Sequence, residues 1–247
     1  MLCLDYDGTL SELVARPSEA RPLAPARELL EKLAAHPERV ELAIVSGRDI
    51  DTVRALLGID RGLSFIGNHG VESLDRAGRR RFAPQLESFA AELDKVRNWM
   101  ARAVPPRSGF VIEDKRAAIA LHYRGADPAA VSALRDSLRE FIGRECRGLE
   151  IMTGNMVDET IARGLADKGS AVLRLLASMG EPAPMVAYFG DDTTDEDAFF
   201  GLRDRGVTVL VGAPRPSWAR YRVDGPAEVV AILGDLAAAL EPAHRTA

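Results

Sequence analysis

The sequence predicts an α/β protein in which a doubly wound, Rossmann-like parallel sheet is interrupted by an inserted α+β cap. Two observations carry this. Short apolar runs at residues 1–4, 40–45, 63–66, 185–189 and 207–211 alternate with helical patterns, as buried parallel strands with crossover helices do. Between residues 79 and 163 that pattern stops, and a helix–strand–strand unit occurs twice instead. The expected organisation is a discontinuous core, residues 1–78 and 164–247, with a cap at 79–163.

The first strand ends abruptly in Asp5-Tyr6-Asp7-Gly8-Thr9. Residues two apart in an extended chain point to the same side, so Asp5 and Asp7 leave the strand's carboxyl end facing one region. Ligands of open α/β sheets bind there. Gly8 allows a sharp turn, and Thr9 offers a hydroxyl and an N–H to an anion. Two close carboxylates repel, so a cation is expected with them, and Mg²⁺ beside a phosphate suits hard oxygen donors. An acidic pair alone is weak evidence; the apolar run before it and the Gly-Thr-Leu after it strengthen the reading.

Residues 11–24 read as a loop, and Pro25 suits the first turn of a helix carrying Leu29, Leu30 and Leu33 on one stripe. The second strand runs into Ser46-Gly47-Arg48, with Asp49 placed to cap the next helix. A hydroxyl followed by glycine at a strand end suits a phosphate oxygen, although Ser46 and Arg48 by themselves read as a simple turn. The third strand ends in Gly67-Asn68-His69-Gly70, where a lone histidine is more often a loop residue than a catalytic one.

In the middle region a helix over about 84–104 carries Leu86, Phe89, Ala90, Leu93, Val96, Met100 and Val104 on one face, with Trp99 at its edge as a packing residue. Strands near 109–113 and 117–123 follow. A second helix covers about 128–143, and strands near 149–153 and 156–161 complete the repeat. This predicts a four-stranded antiparallel sheet with both helices on one face. Ile119, Leu121 and Tyr123 alternate with His122 and Arg124, which places His122 and Arg124 on the uncovered face, either a solvated surface or a binding lid. Alternation puts Glu159 on the side of Val157 and Ile161.

From Lys168 a helix runs to about Met179, and the strand at 185–189 ends in Gly190-Asp191-Asp192-Thr193-Thr194-Asp195-Glu196-Asp197. The helix dipole accounts for Glu196 and Asp197. It does not account for Asp191 and Asp192 directly after an apolar strand, and metal ligation does. Residues 226–240 form a closing amphipathic helix, and the tail from Glu241 is expected to be loose.

The 247 residues are 47% hydrophobic and 28% charged, enough to bury a sizeable core in one large domain or two small ones. A net charge of −5 with no long basic run argues against nucleic acid or an anionic membrane as partner. Cys3 and Cys146 read as small buried hydrophobes rather than a disulfide. No run is long enough to cross a bilayer and no signal peptide is visible, so a soluble cytoplasmic protein is expected. The chain starts directly at the first strand, so a short N-terminal piece is expected to be missing.

As an ordered set, Asp5-Tyr6-Asp7-Gly8-Thr9, Ser46-Gly47-Arg48, Lys168 and Gly190-to-Glu196 resemble the motifs of haloacid-dehalogenase-superfamily phosphatases. Gly67-Asn68-His69-Gly70, Glu113-Asp114-Lys115, Leu121-His122-Tyr123-Arg124, Asp167-Lys168-Gly169 and the segment from Gly190 to Phe199 make the finer resemblance to the trehalose-6-phosphate phosphatase family. One stretch departs. Asn155 follows Gly154 where that family usually has a basic residue, and Thr160-Ile161-Ala162-Arg163 follow Glu159 where it usually has Arg-Pro. The departure bears on sugar contacts at this edge and not on the chemistry.

The resemblance implies Mg²⁺-dependent hydrolysis of trehalose 6-phosphate in two steps. Asp5 would be the nucleophile and Asp7 the general acid and base. Thr9, Ser46, Gly47 and Lys168 would bind phosphoryl oxygens. Asp5, Asp7 (through its carbonyl), Asp191 and either Asp192 or Asp195 would serve the metal. Arg48, His69, Glu113, Lys115, His122, Arg124 and Glu159 would contact substrate. A trehalose-6-phosphate synthase would be a working partner. The same chemistry on another sugar phosphate, such as sucrose 6-phosphate or a glycosyl-phosphoglycerate, is the main alternative; a phosphomutase and a non-catalytic regulatory module are the others.

Overall fold

The computed structural model describes residues 1–14, 16–115, 117–154, 156–165, 167–180 and 183–241. Asn155 and the tail at 242–247 therefore lie outside the described residues. The chain divides into two compact units, Met1–Phe82 with Ala166–Ala247, and Ala83–Leu165.

The first unit begins with β1 (Leu2–Asp5), α1 (Ala26–Ala34), β2 (Leu42–Val45), α2 (Ile50–Leu57) and β3 (Ser64–Gly67). A hairpin of β4 (Glu72–Leu74) and β5 (Arg80–Phe82) follows. The sequence pattern does not anticipate this hairpin. It extends the sheet antiparallel to β3 and carries the first unit to Phe82, past the residue 79 expected from the sequence.

The second unit opens with a 3₁₀ segment, Pro84–Phe89, in place of the expected first helical turns. It continues through α3 (Ala90–Ala103), β6 (Val111–Asp114), β7 (Ala118–His122), α4 (Pro128–Glu145), β8 (Leu149–Gly154) and β9 (Val157–Ala162). The chain then returns to the first unit with α5 (Lys168–Ala177), β10 (Val186–Gly190), α6 (Glu196–Leu202), β11 (Gly206–Val211), β12 (Tyr221–Val223) and α7 (Pro226–Leu240).

The large sheet runs β12-β11-β10-β1-β2-β3-β4-β5 and is parallel from β12 to β3. The chain leaves β1 toward β2 and β3, then returns on the other side at β10. The order therefore reverses between β1 and β10, and crevices at such switch points are where open α/β sheets take ligands. Alternate side chains feed two cores. Leu2, Leu4 and Ile44 pack with Leu30 and Leu33 of α1, Val53 of α2 and Val229 and Leu233 of α7. Cys3, Ala43, Val45 and Tyr188 pack with Val172 of α5 and Phe199 of α6 on the other face. Asp5 continues the Cys3 side, so the pleat delivers its carboxylate toward α5.

The second unit has an antiparallel sheet of order β6-β7-β9-β8. Ile119 and Leu121 of β7, Leu149 of β8, and Leu93, Val96, Met100, Leu138 and Ile142 of α3 and α4 are all buried. Trp99 stacks on Phe141 at 5.4 Å, joining the two helices. In β9 the usual alternation is inverted. Asp158 and Thr160 are fully buried, whereas Val157 and Ile161 are only partly so. The buried Asp158 carboxylate is satisfied by a fork from Arg135 of α4, at 2.6 and 2.9 Å, and by the Thr153 hydroxyl at 2.9 Å. That pairing leaves Glu159 on the opposite face. No helix among the described residues is long and apolar enough to cross a membrane.

Candidate active site

At the carboxyl end of β1, Asp5 is only 3% exposed. Lys168, the first residue of α5 and also 3% exposed, donates from Nζ to Asp5 Oδ1 at 2.7 Å and to Asp195 Oδ1 at 2.8 Å. Asp167 caps α5 in a reciprocal capping box with Ser170, which fixes where that helix starts and so where the lysine stem begins. Asp195 is fully buried and also accepts from the Tyr188 hydroxyl at 2.7 Å.

Asp5, Asp191 and Asp195 each present a carboxylate oxygen, and the three atoms lie within 4.8 Å of one another. Asp192 is not in that group. Its carboxylate caps the short turn that follows, accepting from the Thr193 N–H at 2.6 Å. Asp7 stands outside as well: its two oxygens are gripped by Arg48, Nε to Oδ2 and Nη2 to Oδ1, both at 2.6 Å.

The electrostatics follow from this crowding. Burial pushes the Asp5 carboxyl well above its ordinary range; Asp195 and Asp191 add to the shift, against Lys168. Asp191 is pushed up to about 7 by burial and then by Asp195. Burial opposes the Lys168 charge, but Asp5 and Asp195 outweigh it and hold its pKa above the usual lysine value. One ammonium faces three carboxylates, so further positive charge stabilises the cluster.

The residues fit a hard divalent cation. All the grouped donors are carboxylate oxygens, and Asp191 Oδ1 is buried with no hydrogen-bond partner among the described residues. Gly8, at φ +80°, makes the approach possible, because a Cβ there would overlap the Asp191 carboxylate.

The residues expected from the sequence at a phosphate gather around the same strand ends. Thr9 is fully buried, and its hydroxyl has no hydrogen-bond partner among the described residues. Ser46 is buried at the end of β2, and its hydroxyl accepts from the Arg48 N–H at 3.1 Å. The His69 ring lies against Gly47 so closely that a Cβ on Gly47 would overlap it. His69 N–H donates to the Ser46 carbonyl at 3.2 Å and Asn68 N–H to the Arg48 carbonyl at 2.8 Å, with both residues at positive φ. His69 therefore packs against the Ser46–Gly47 loop. Arg48, expected on substrate, holds Asp7.

Two side chains that sequence reasoning missed support these loops. Glu72 of β4 is buried and accepts from the Ile50 N–H at 2.9 Å and the Asn68 amide at 3.0 Å, tying the start of α2 to the 68–69 turn. Arg215, in the loop after β11, donates to the Asp192 and Asp191 carbonyls at 2.9 and 3.3 Å and to Glu196 Oε1 at 2.6 Å. Glu72 lies in a strand that the sequence pattern does not signal. Arg215 sits between two prolines and reads only as loop.

In the second unit, the sheet face away from α3 and α4 carries Glu113, His122 and Glu159. His122 Nε2 is 2.8 Å from Glu113 Oε2, and Lys115 pairs with Glu159 across Ala120. The His122 hydrogen bond lowers the Glu113 pKa against partial burial. Arg124 does not share this strand face: β7 ends at His122, and Arg124 lies exposed in the turn beyond.

A parallel sheet whose switch point holds a buried aspartate, a bridging lysine and two further acids from the β10 loop defines a haloacid-dehalogenase-like α/β protein. The chain belongs to the trehalose-phosphatase family, whose model matches residues 3–227. It is 35% identical over 97% of its length to an uncharacterized glycosyl hydrolase of Mycobacterium tuberculosis, of which it spans 18%. It is 34% identical over 97% of its length to a trehalose-phosphate phosphatase of the same species, of which it spans 61%. A crystal structure of a trehalose-6-phosphate phosphatase related protein superposes with a TM-score of 0.77 at 26% identity, covering 96% of this chain and 97% of that one.

Proposed function

We propose that the protein is a Mg²⁺-dependent phosphatase that hydrolyses trehalose 6-phosphate to trehalose and inorganic phosphate through an aspartyl-phosphate on Asp5. The observation that carries this reading is the Asp5 carboxylate at the β1–β10 switch point, bridged by Lys168 and facing Asp191 and Asp195. Family membership supports the sugar.

Asp5, Asp191 and Asp195 would hold the cation, with the Asp7 carbonyl as a further oxygen. When bound, the cation supplies positive charge that favours ionised Asp5 and offsets charge on the phosphoryl oxygens. Lys168 acts in the same sense. In the first step an Asp5 oxygen forms a bond to phosphorus while the bond from phosphorus to the sugar 6-oxygen breaks. The Asp7 carboxyl passes its proton to the departing oxygen. The Arg48 fork takes one acceptor site on each Asp7 oxygen and leaves the others open, so it orients the carboxyl while a proton is passed. In the second step water attacks phosphorus, Asp7 takes its proton, and the bond between phosphorus and Asp5 breaks. The buried Thr9 hydroxyl and that of Ser46 donate to phosphoryl oxygens, offsetting charge spread over them.

Glu113, Lys115, His122 and Glu159 read sugar hydroxyls. Paired acids and bases on one open sheet face offer both donors and acceptors to a polyol. A synthase making trehalose 6-phosphate is the class of enzyme that would supply the substrate. The reading is tested by phosphate release from trehalose 6-phosphate, glucose 6-phosphate and sucrose 6-phosphate, with Mg²⁺ and with excess EDTA. Trehalose 6-phosphate is expected to be the best substrate and EDTA to abolish turnover. Equal rates on all three sugars overturn the substrate, and full activity in EDTA overturns the metal.

A further inference from the structure

The β10–α6 loop is not held by its own hydrogen bonds alone. Asp191 turns a carboxylate oxygen to within 4.8 Å of oxygens of Asp5 and Asp195. Its peptide is fixed from outside. The Arg215 guanidinium spans the two consecutive carbonyls of Asp191 and Asp192, at 3.3 and 2.9 Å. Its other arm meets Glu196 Oε1 at 2.6 Å. Glu196 closes the circuit: its second oxygen accepts from the Trp218 N–H at 2.8 Å and the Ser217 hydroxyl at 3.2 Å. The loop after β11 is thereby stitched at both ends to the loop that carries Asp191 and Asp195. The Asp192 N–H completes the frame by donating to Asp195 Oδ2 at 3.0 Å.

From this geometry we infer that Arg215 is a positioning residue for the metal-binding carboxylates, acting through the main chain of Asp191 and Asp192. The inference rests on the metal reading of the site proposed above. Arg215 bonds the Glu196 carboxylate and the Asp191 and Asp192 carbonyls, not the grouped carboxylate oxygens of Asp5, Asp191 and Asp195. Its planar fork suits two adjacent carbonyls and a carboxylate at once, which a lysine ammonium cannot reproduce. Partners that orient metal ligands from behind commonly change affinity by about 10- to 100-fold when removed.

The test is titration calorimetry of Mg²⁺ into the metal-stripped full chain, comparing wild type with Arg215→Ala and Arg215→Lys, with melting curves recorded in EDTA. Arg215→Ala is expected to weaken Mg²⁺ binding by about tenfold or more, with Arg215→Lys in between. At Mg²⁺ concentrations that saturate each variant, kcat should return close to wild type. If Arg215→Ala lowers the melting point but binds Mg²⁺ as wild type does, the residue only supports the fold and the inference is overturned. If Arg215→Ala does not fold, Arg215→Lys decides: wild-type affinity overturns the inference and weakened affinity supports it. Failure of the wild-type chain itself to bind Mg²⁺ overturns the metal reading and this inference with it. Binding by wild type that is unchanged in the variants overturns the inference alone.

Discussion

Replacing Lys168 by methionine removes one positive charge from the centre of the acidic cluster and keeps most of the side chain's volume. Lys168 is 3% exposed and lies 2.7 and 2.8 Å from carboxylates that are themselves buried. Deleting one partner of a buried ion pair costs about 3–5 kcal/mol, because the other charge is left unpaired. Here two carboxylates lose the same partner, so the upper half of that range is expected. For a chain of this size, about 2–4 °C per kcal/mol gives a fall in melting temperature of roughly 8–20 °C.

The loss should depend on pH in a definite direction. Burial already places the folded-state pKa of Asp5 above its ordinary value, with Lys168 as the main opposing influence. Without the lysine, that pKa moves further above the unfolded value. A carboxyl shifted upward favours folding at low pH and disfavours it as pH rises through the folded pKa. Lys168→Met should therefore be hurt less at pH 5 than at pH 8. Differential scanning calorimetry in EDTA at both pH values checks this, since chelation keeps a bound cation from standing in for the lost charge. A variant within 1 °C of wild type at pH 8, or one hurt more at pH 5, refutes the electrostatic account of the site.

Other expectations follow from the same structure. Glu113→Ala and His122→Ala should lower turnover of trehalose 6-phosphate at least tenfold more than that of a small aryl phosphate, about 1.4 kcal/mol of sugar contact; steady-state kinetics on both substrates measures the ratio, and equal losses remove the sugar-reading role. Arg135→Ala leaves the fully buried Asp158 carboxylate without its fork and should destabilise the second unit by about 3–5 kcal/mol, read from urea unfolding followed by Trp99 fluorescence. Burial pushes the Cys3 thiol up to about 12 and raises that of Cys146, so neither should react with a thiol reagent at pH 8 until the chain unfolds; rapid labelling of the native protein would contradict their burial.

The parallel part of the sheet was legible because its strands are buried on both faces and so read as unbroken apolar runs that stop at polar strand ends. Leu2 to Leu4 before Asp5, and Val186 to Phe189 before Gly190, are of this kind. The gathering of Asp5, Lys168, Asp191 and Asp195 follows from strand order once β1 and β10 are neighbours. The β4–β5 hairpin was not legible. Its strands, Glu-Ser-Leu and Arg-Arg-Phe, are three residues each and mostly polar, and they become strands only by pairing with each other and with β3. The inverted alternation of β9 is resolved by Arg135, some 23 positions away, which makes a buried Asp158 tolerable; no local pattern in β9 signals it. The Arg48 grip on Asp7 and the role of Arg215 were not legible for the same reason. A cation's partner is set by tertiary contact, and the sequence displays the charge without its destination.

The most direct test of the account compares wild type with Asp5→Asn in phosphate release from trehalose 6-phosphate at saturating Mg²⁺, with the variant's mass verified to exclude deamidation. An amide cannot attack phosphorus, whereas one fewer negative charge in a crowded acidic site should not unfold the chain. The account predicts turnover by wild type, a loss of about 10³-fold or more in the variant, and a melting temperature for the variant equal to or above that of wild type in EDTA. An Asp5→Asn protein that retains turnover within tenfold of wild type would contradict the assignment of Asp5 as nucleophile.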